Sequence, residues 1–140
     1  MTSYETIYNR ALSKIEDPTL AMLDEGDLEN MLYGWLISAV AKHRKCTNDL
    51  SDRDDELRQF NVDLTDIEQE ILAILMTREW VGQQLKSVTN TLQVYSGKET
   101  KYYSQAQHLS ELRALDESLR LEAQQLSRDY TYVDSEYFDD

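Results

Sequence analysis

Apolar residues recur along the chain at the three- and four-residue spacing of amphipathic helices, in four separate runs. The first run covers residues 4–15, and it is preceded by Thr2 and Glu5 at the spacing of a capping box. It ends before Pro18, because the residue before a proline disfavours helix, and PTLAML can then form one short turn. The pattern therefore predicts a first helix of about three turns.

The second run, residues 28–40, follows Gly26, with Asp27 as a candidate cap. It ends in the basic sequence KHRK, which suits the negative end of a helix dipole. The sequence that follows, TNDLSDRDDELRQFNVDL, loses the helical spacing and predicts an acidic connector. Within this connector, DELRQF can form a turn of helix.

The third run begins at Thr65, which has capping-box spacing to Glu68. Further on, the sequence SVTNTLQVYSG becomes polar and β-branched, and it is compatible with either a loop or a continuing helix. Gly97 is the clearest break. The expected core residues of this third helix are Ile67, Ile71, Ile74, Leu75 and Leu85, with Trp80 and Val81 beside them.

The fourth run predicts a helix from about residue 99 to residue 128, which would be about 45 Å long. Its apolar residues have the a and d spacing of a coiled coil, interrupted by Asp116. Because such a helix is longer than the other three can cover, part of it is expected to project from the bundle or to meet another subunit. The residues predicted to pack subunits together are Leu109, Leu112, Leu119 and Leu126.

Four glycines and one proline in 140 residues favour long helices over a turn-rich β fold. We therefore predict an all-α fold, a small bundle of about four helices with a long C-terminal helix. Residues 1–128 are expected to form one helical bundle domain, and residues 129–140 an extended tail, since Tyr, Thr and Val favour strand geometry.

The tail is both acidic and aromatic, which is unusual for a frayed terminus. Tyrosine is favoured at protein interfaces because it is large, rigid and half polar. The tail is therefore either disordered or a segment that docks on a partner, and its composition favours docking. The candidate partner-binding residues are Tyr130, Tyr132, Val133, Tyr137 and Phe138.

The net charge of −13 is concentrated in two places. Residues 47–79 hold ten acidic and three basic residues, and residues 129–140 hold five acidic residues and no basic one. Direct binding to DNA phosphates is not expected, because it requires a clustered basic face. The charge instead indicates a basic partner, a mimic of DNA, or a surface to which DNA does not adhere.

No motif for catalysis, a cofactor or a metal is found in the sequence, so we expect none of the three. Cys46 excludes an internal disulfide and is expected to be packed and inert, while His43 and His108 are expected at the surface or its boundary. The run DRDDE does not fit a calcium loop, which requires a glycine at its sixth position and a glutamate at its twelfth. It is a solvated face, a surface that repels DNA or a partner, or, least favoured, a divalent cation site. No apolar stretch approaches the length of a membrane span, and the N-terminal residues do not have the pattern of a signal peptide.

Two stretches, LSDRDDELRQFNVDLTDIEQEILAILM and SGKETKYYSQAQHLSELRALDESLRLEAQQLSRDYTY, resemble the head–tail connector (neck adaptor or head completion) proteins of tailed bacteriophages. The resemblance covers nearly the whole chain. It implies a small α-helical bundle that assembles as a ring of twelve copies beneath the portal, with the C-terminal segment reaching the portal or a neighbouring copy. It also implies a tail-side neck or stopper protein as a partner and DNA passing through the lumen without specific binding.

The resemblance implies a structural protein of the virion neck, present in the host cytoplasm before assembly. On this interpretation the candidate residues of the channel or its rim are Asp52, Asp54, Asp55 and Glu56. Two alternatives remain from the residues alone. The first is an acidic DNA-mimic inhibitor of a host nucleic-acid-binding enzyme, and the second is a generic helical oligomerisation protein.

Overall fold

The computed structural model describes residues 1–15, 17, 20–43, 45–95 and 100–138, with side chains described up to residue 89 of the third helix and from 106 to 131 of the fourth. Most of this part of the chain is helical, as predicted, and the last helix is the longest. The α-helices are α1 (Tyr4–Leu12), α2 (Glu25–Lys42), α3 (Asp66–Tyr95) and α4 (Thr100–Phe138). The predicted short turn after Pro18 corresponds to a 3-10 turn, Leu20–Met22.

Helix α1 is capped by Ser3 and not by Thr2. The Ser3 hydroxyl accepts a hydrogen bond from the Glu5 backbone N–H at 3.2 Å. Thr2 instead joins the chain start to the connector, because its hydroxyl donates to the Val62 carbonyl and accepts from the Leu64 N–H at 2.9 Å. The predicted apolar stripe is confirmed, with four buried residues on one face: Tyr4, Ile7, Tyr8 and Ala11.

Helix α2 begins at Glu25 with Asp24 at the N-cap position, so it starts earlier than the sequence predicts. Gly26 is therefore inside the first turn and does not precede the helix. The buried face of α2 is the predicted one and consists of Leu32, Trp35, Leu36 and Ala39.

The connector between α2 and α3 forms a small sheet where a helical turn was predicted. Strands β1 (Thr2–Ser3), β2 (Arg53–Asp54) and β3 (Gln59–Phe60) pair antiparallel in the order β1-β3-β2. Asp54 makes the turn, because its carboxylate accepts the backbone N–H groups of Glu56 and Leu57 at 2.9 and 3.1 Å. Arg58 then takes a left-handed conformation (φ 54°), which ends any helical turn and leads into β3.

Helices α3 and α4 form a long antiparallel hairpin. Of the two alternatives for SVTNTLQVYSG, the helix is correct as far as Tyr95, where α3 ends. The predicted break at Gly97 lies outside the described residues. Near the start of α3, Glu68 contacts Tyr130, and further along Arg78 contacts Asp116. The two helices are about 45 and 58 Å long by their residue counts, and α1 and α2 pack against the first half of α3.

The C-terminal segment corrects one prediction. Tyr130 and Thr131, expected to be extended, continue helix α4, which reaches Phe138. The strand propensity of Tyr and Thr is overridden here because Tyr130 is buried against the rest of the molecule, at 7% exposure.

Candidate functional site

The four predicted acidic candidates lie in or beside the β2–β3 hairpin, where Asp52 and Asp54 hold the hairpin itself and Asp55 joins it to α1. Asp52 accepts a hydrogen bond from the Asn61 side chain at 3.0 Å, and Asp54 caps the turn. Asp55 accepts the Tyr4 hydroxyl at 2.7 Å, and this hydrogen bond lowers the pKa of Asp55. Asp52, Asp55 and Glu56 are exposed and Asp54 is half-buried, so the hairpin still presents a negative surface to solvent.

The four leucines predicted to pack subunits together are used inside the chain. Leu109, Leu112 and Leu119 are buried at 9, 5 and 7% exposure, and Leu126 is partly buried against the same core. They form a seam between α4 and α3. The a and d spacing correctly indicates that α4 packs against another helix, but that helix is α3 of the same chain and not a helix of another subunit.

Asp116 interrupts this seam, and it forms an ion pair with Arg78 on α3. Arg78 donates from Nε to Asp116 at 3.0 Å, and both side chains are about 30% exposed. Arg120, which is one turn away from Asp116, pairs with Glu117 at 2.9 Å instead. The polar residue in the apolar stripe is thus the α4 side of a half-buried ion pair between the two helices.

Of the five predicted docking residues, only Tyr130 has a described side chain. It is buried, and its hydroxyl contacts Glu68 on α3 and Thr47 near the start of the connection between α2 and α3. The side chains of Tyr132, Val133, Tyr137 and Phe138 lie outside the described residues, although their backbone belongs to α4. Tyr130 is therefore an anchor of α4 within its own chain.

The partner of Tyr130 is Glu68, at the centre of a buried polar cluster. The predicted capping box is confirmed, since the Thr65 hydroxyl accepts the Glu68 N–H at 3.2 Å and Glu68 Oε1 accepts the Thr65 N–H at 2.8 Å. Oε1 also accepts the Asn48 amide at 2.7 Å. Oε2 accepts the Cys46 thiol at 2.9 Å and the Tyr130 hydroxyl at 3.0 Å. We call these five residues the Glu68 cluster.

The electrostatics of the Glu68 cluster favour an ionised carboxylate surrounded by neutral donors. Glu68 is fully buried, and burial alone would raise its pKa, but its hydrogen bonds outweigh burial and lower the pKa to about 2. Burial and the adjacent carboxylate raise the pKa of the Cys46 thiol to about 12 and also raise the pKa of Tyr130. A protonated thiol is a poor nucleophile, so this geometry fixes three chain segments together and does not activate Cys46.

His43 corrects a further prediction, because it is buried at 5% exposure and not at the surface. Its ring packs edge-on against Tyr130, with 6.3 Å between the ring centres. Burial lowers the pKa of His43, while the Glu68 charge acts in the opposite direction. His108 is exposed, as predicted.

Sequence reasoning identified Thr65 and Glu68 only as a helix cap. The other members of the cluster come from the connection after α2 and from a position 62 residues further along the chain. No local pattern predicts such a meeting.

The described residues form open grooves beside the bundle, and two of these grooves differ in charge. One, which we call the acidic groove, lies between α1 and α2 and has a volume of about 480 Å³. Its wall includes Glu5, Glu25 and Glu29, with Arg58 as its cation. Arg58 is held over the Tyr33 ring at 4.3 Å and pairs with Glu29 at 3.6 Å.

The second groove lies where the end of α2 meets α3 and α4, and its volume is about 470 Å³. We call it the basic groove, because none of its wall residues is a carboxylate and four are cationic: Lys42, Lys45, Arg78 and Arg120. His43 also lines it. A basic groove is unexpected in a chain of net charge −13.

Among the described residues, no group of three or more His, Cys, Asp and Glu side chains is arranged to hold a metal ion. The helices in the same part of the chain include none that combines the length and apolar character needed to cross a membrane. The chain matches no protein-family model, no curated protein and no solved structure.

Proposed function

We propose that this chain is a structural protein of the neck of a tailed bacteriophage. In this proposal, copies of the chain form a ring between the portal and the tail, and DNA passes through the lumen. The chain performs no catalysis and holds no cofactor. Its partners are the portal, a tail-side neck or stopper protein and other copies of itself, first in the host cytoplasm and then in the virion.

The observation that carries the proposal is the extension of α4 beyond its own bundle. Tyr130 is anchored to Glu68, which is in the first turn of α3, and α4 then continues from residue 131 to Phe138. Eight further helical residues add about 12 Å. The acidic and aromatic sequence of residues 132–138 is thereby carried past the end of the hairpin, as a segment that docks on another protein requires.

The β2–β3 hairpin supports the same proposal. It concentrates exposed carboxylates from Asp52, Asp55 and Glu56 on a rigid turn. A surface of this charge repels the phosphates of DNA, so it suits the rim or wall of a channel through which DNA slides. In the ring, we therefore assign the hairpin to the DNA side.

The first test is the copy number of the chain in purified phage particles, measured by quantitative mass spectrometry relative to the portal. The proposal expects a ratio near one. The second test deletes residues 132–140 and leaves Tyr130 in place, so that the Glu68 cluster is preserved. The truncated protein is expected to keep its helical circular dichroism and to be missing from particles, while a Glu111→Gln, Glu122→Gln control is incorporated normally.

Absence of the chain from particles, combined with abundance in infected cells, would overturn the proposal. Capture of a nuclease or polymerase from host lysate at low salt, lost at high salt, would then favour the acidic DNA mimic. A stable self-assembled oligomer without affinity for virion proteins would favour a generic oligomerisation protein.

A further inference from the structure

The basic groove has the size of a ligand site and an amphipathic wall. Its volume of about 470 Å³ falls within the range of about 300 to 1,000 Å³ that is usual for binding pockets. Ile71, Leu75 and Ala123 supply the apolar part of the wall. The groove therefore offers both apolar contact and positive charge to whatever enters it.

Three of its four cations already have a carboxylate partner, and the fourth does not. Lys42 pairs with Glu79, while Arg78 and Arg120 pair with Asp116 and Glu117 as described above. Lys45 is exposed and makes no ion pair with any residue that the structure describes. The groove thus keeps one cation that none of the described carboxylates neutralises.

His43 supplies a second and independent observation. Its Nε2 atom is buried and has no hydrogen-bond partner among the described groups. A buried polar atom without a partner is costly, by about 1 to 3 kcal/mol, so such atoms usually meet a partner supplied from elsewhere. His43 lines the basic groove but its Nε2 atom is covered by protein atoms, so an acceptor bound in the groove would satisfy an Nε2–H donor once the ring turns toward it.

We propose that the basic groove binds the acidic C-terminal segment, residues 132–140, of a second copy of this chain. That segment contains no basic residue and four acidic ones: Asp134, Glu136, Asp139 and Asp140. Its carboxylates complement Lys45 and can accept from His43, and its aromatic side chains match the apolar wall. This inference rests on the docking role that the proposed function gives to the tail.

The segment cannot fill the groove of its own chain. α4 forms one wall of the groove at Ser127 and then continues as helix to Phe138, which carries the chain about 16 Å further along the helix axis. Returning to the groove would require that helix to break. The contact between copies therefore joins the tail of one copy to the groove of another, and it forms either a reciprocal pair or, when it repeats head-to-tail, a ring or a filament.

The test is the self-association of the full chain by sedimentation velocity over a range of concentrations. Wild type is expected to associate, and increasing salt is expected to weaken the association. Lys45→Glu in the groove, and Asp134→Asn with Glu136→Gln in the tail, are each expected to weaken it by roughly tenfold or more. The matched controls are Lys86→Glu and Glu111→Gln with Glu122→Gln, which change the same charges at exposed positions outside the groove, and these should leave association unchanged.

Mixing the two variants gives the decisive result. The Lys45→Glu chain retains an intact tail and the tail variant retains an intact groove, so an equimolar mixture is expected to form one-to-one dimers and nothing larger. A synthetic peptide of residues 129–140 is expected to bind the full chain, to shift the His43 ring resonances, and to bind Lys45→Glu roughly tenfold more weakly.

A monomer at every concentration together with no peptide binding would overturn the inference, as would association that Lys45→Glu does not change. Binding of inorganic phosphate in place of the peptide would make the groove a general anion site and would also overturn it. If deletion of residues 132–140 keeps the chain out of particles while Lys45→Glu is incorporated normally, the tail docks elsewhere. The proposed function would then stand without this inference.

Discussion

Helix α4 is fixed to α3 by two regions of opposite chemistry. The leucine seam of Leu109, Leu112 and Leu119 is apolar, while the Glu68 cluster is a buried carboxylate with four donors. Apolar contact is not directional, so leucines displaced by one helical turn would still find apolar neighbours. The cluster satisfies its hydrogen bonds in one alignment only. The comparison indicates that apolar burial in the seam stabilises the packing of the two helices, while the hydrogen bonds of the cluster set their register.

The largest expected effect comes from removing the centre of the cluster. Glu68→Ala deletes the one acceptor shared by the buried donors of Cys46, Asn48 and Tyr130, and we expect it to lower the free energy of unfolding by about 4 kcal/mol. Urea denaturation provides the measurement, with Glu122→Ala, an exposed acid on α4, as the control. Similar losses in the two variants would show that the cluster has no special role.

The seam is tested by a pair of leucines two positions apart. Leu119 is 7% exposed and Leu121 is 49% exposed. Leu119→Ala is expected to cost about 3 kcal/mol of unfolding free energy, and Leu121→Ala less than about 0.5 kcal/mol. Equal costs would mean that α4 contacts α3 through another face.

The cluster and the seam should also differ in their response to pH. Folding lowers the pKa of Glu68 from its ordinary value of 4.5 to about 2, so the stabilisation it provides is complete above about pH 5. It is lost as pH falls from about 4.5 towards 2, by an amount on the order of 2 to 3 kcal/mol. The stability difference between wild type and Glu68→Gln is therefore expected to shrink over that range. A difference that stays constant with pH would contradict the low pKa, and Leu119→Ala should show such a constant difference.

The smallest effect concerns a single hydroxyl. Tyr130→Phe removes the hydrogen bonds to Glu68 and to the Thr47 N–H, and we expect a loss of about 1 to 2 kcal/mol. Tyr8 is the matched control, because it is equally buried and its hydroxyl has no partner among the described residues. Thermal unfolding is expected to show a larger loss of stability for Tyr130→Phe than for Tyr8→Phe. Equal losses would show that the hydrogen bonds of the Tyr130 hydroxyl do not stabilise the fold.

The helices could be predicted from the sequence because their signals are local. The faces of α1 and α2 follow directly from residue spacing, and the Thr65–Glu68 cap is visible at three positions apart. Capping of α1 shifted by one residue because Thr2 was drawn into contacts with Val62 and Leu64. Spacing alone does not reveal that competition.

Most errors arose where distant segments meet. The spacing of the α4 leucines is the same whether the facing helix belongs to the same chain or to another, so spacing could not decide between them. The error in DELRQF is local, because the side chain of the preceding Asp54 and the left-handed backbone at Arg58 override a weak helical preference. The charge of the basic groove was also hidden, since Lys45, Arg78 and Arg120 are scattered over 75 residues of an acidic sequence.

The contact between Thr2 and Val62 joins positions 60 residues apart, and this has a consequence for the kinetics of folding. The α3–α4 hairpin brings together helices that are separated by only four residues, so its chain closure costs little conformational entropy. Pairing of β1 with β3 requires a much longer loop to close first. The strand at the start of α1 is thus expected to join the molecule late in folding and to be among the first elements to detach when the native state opens.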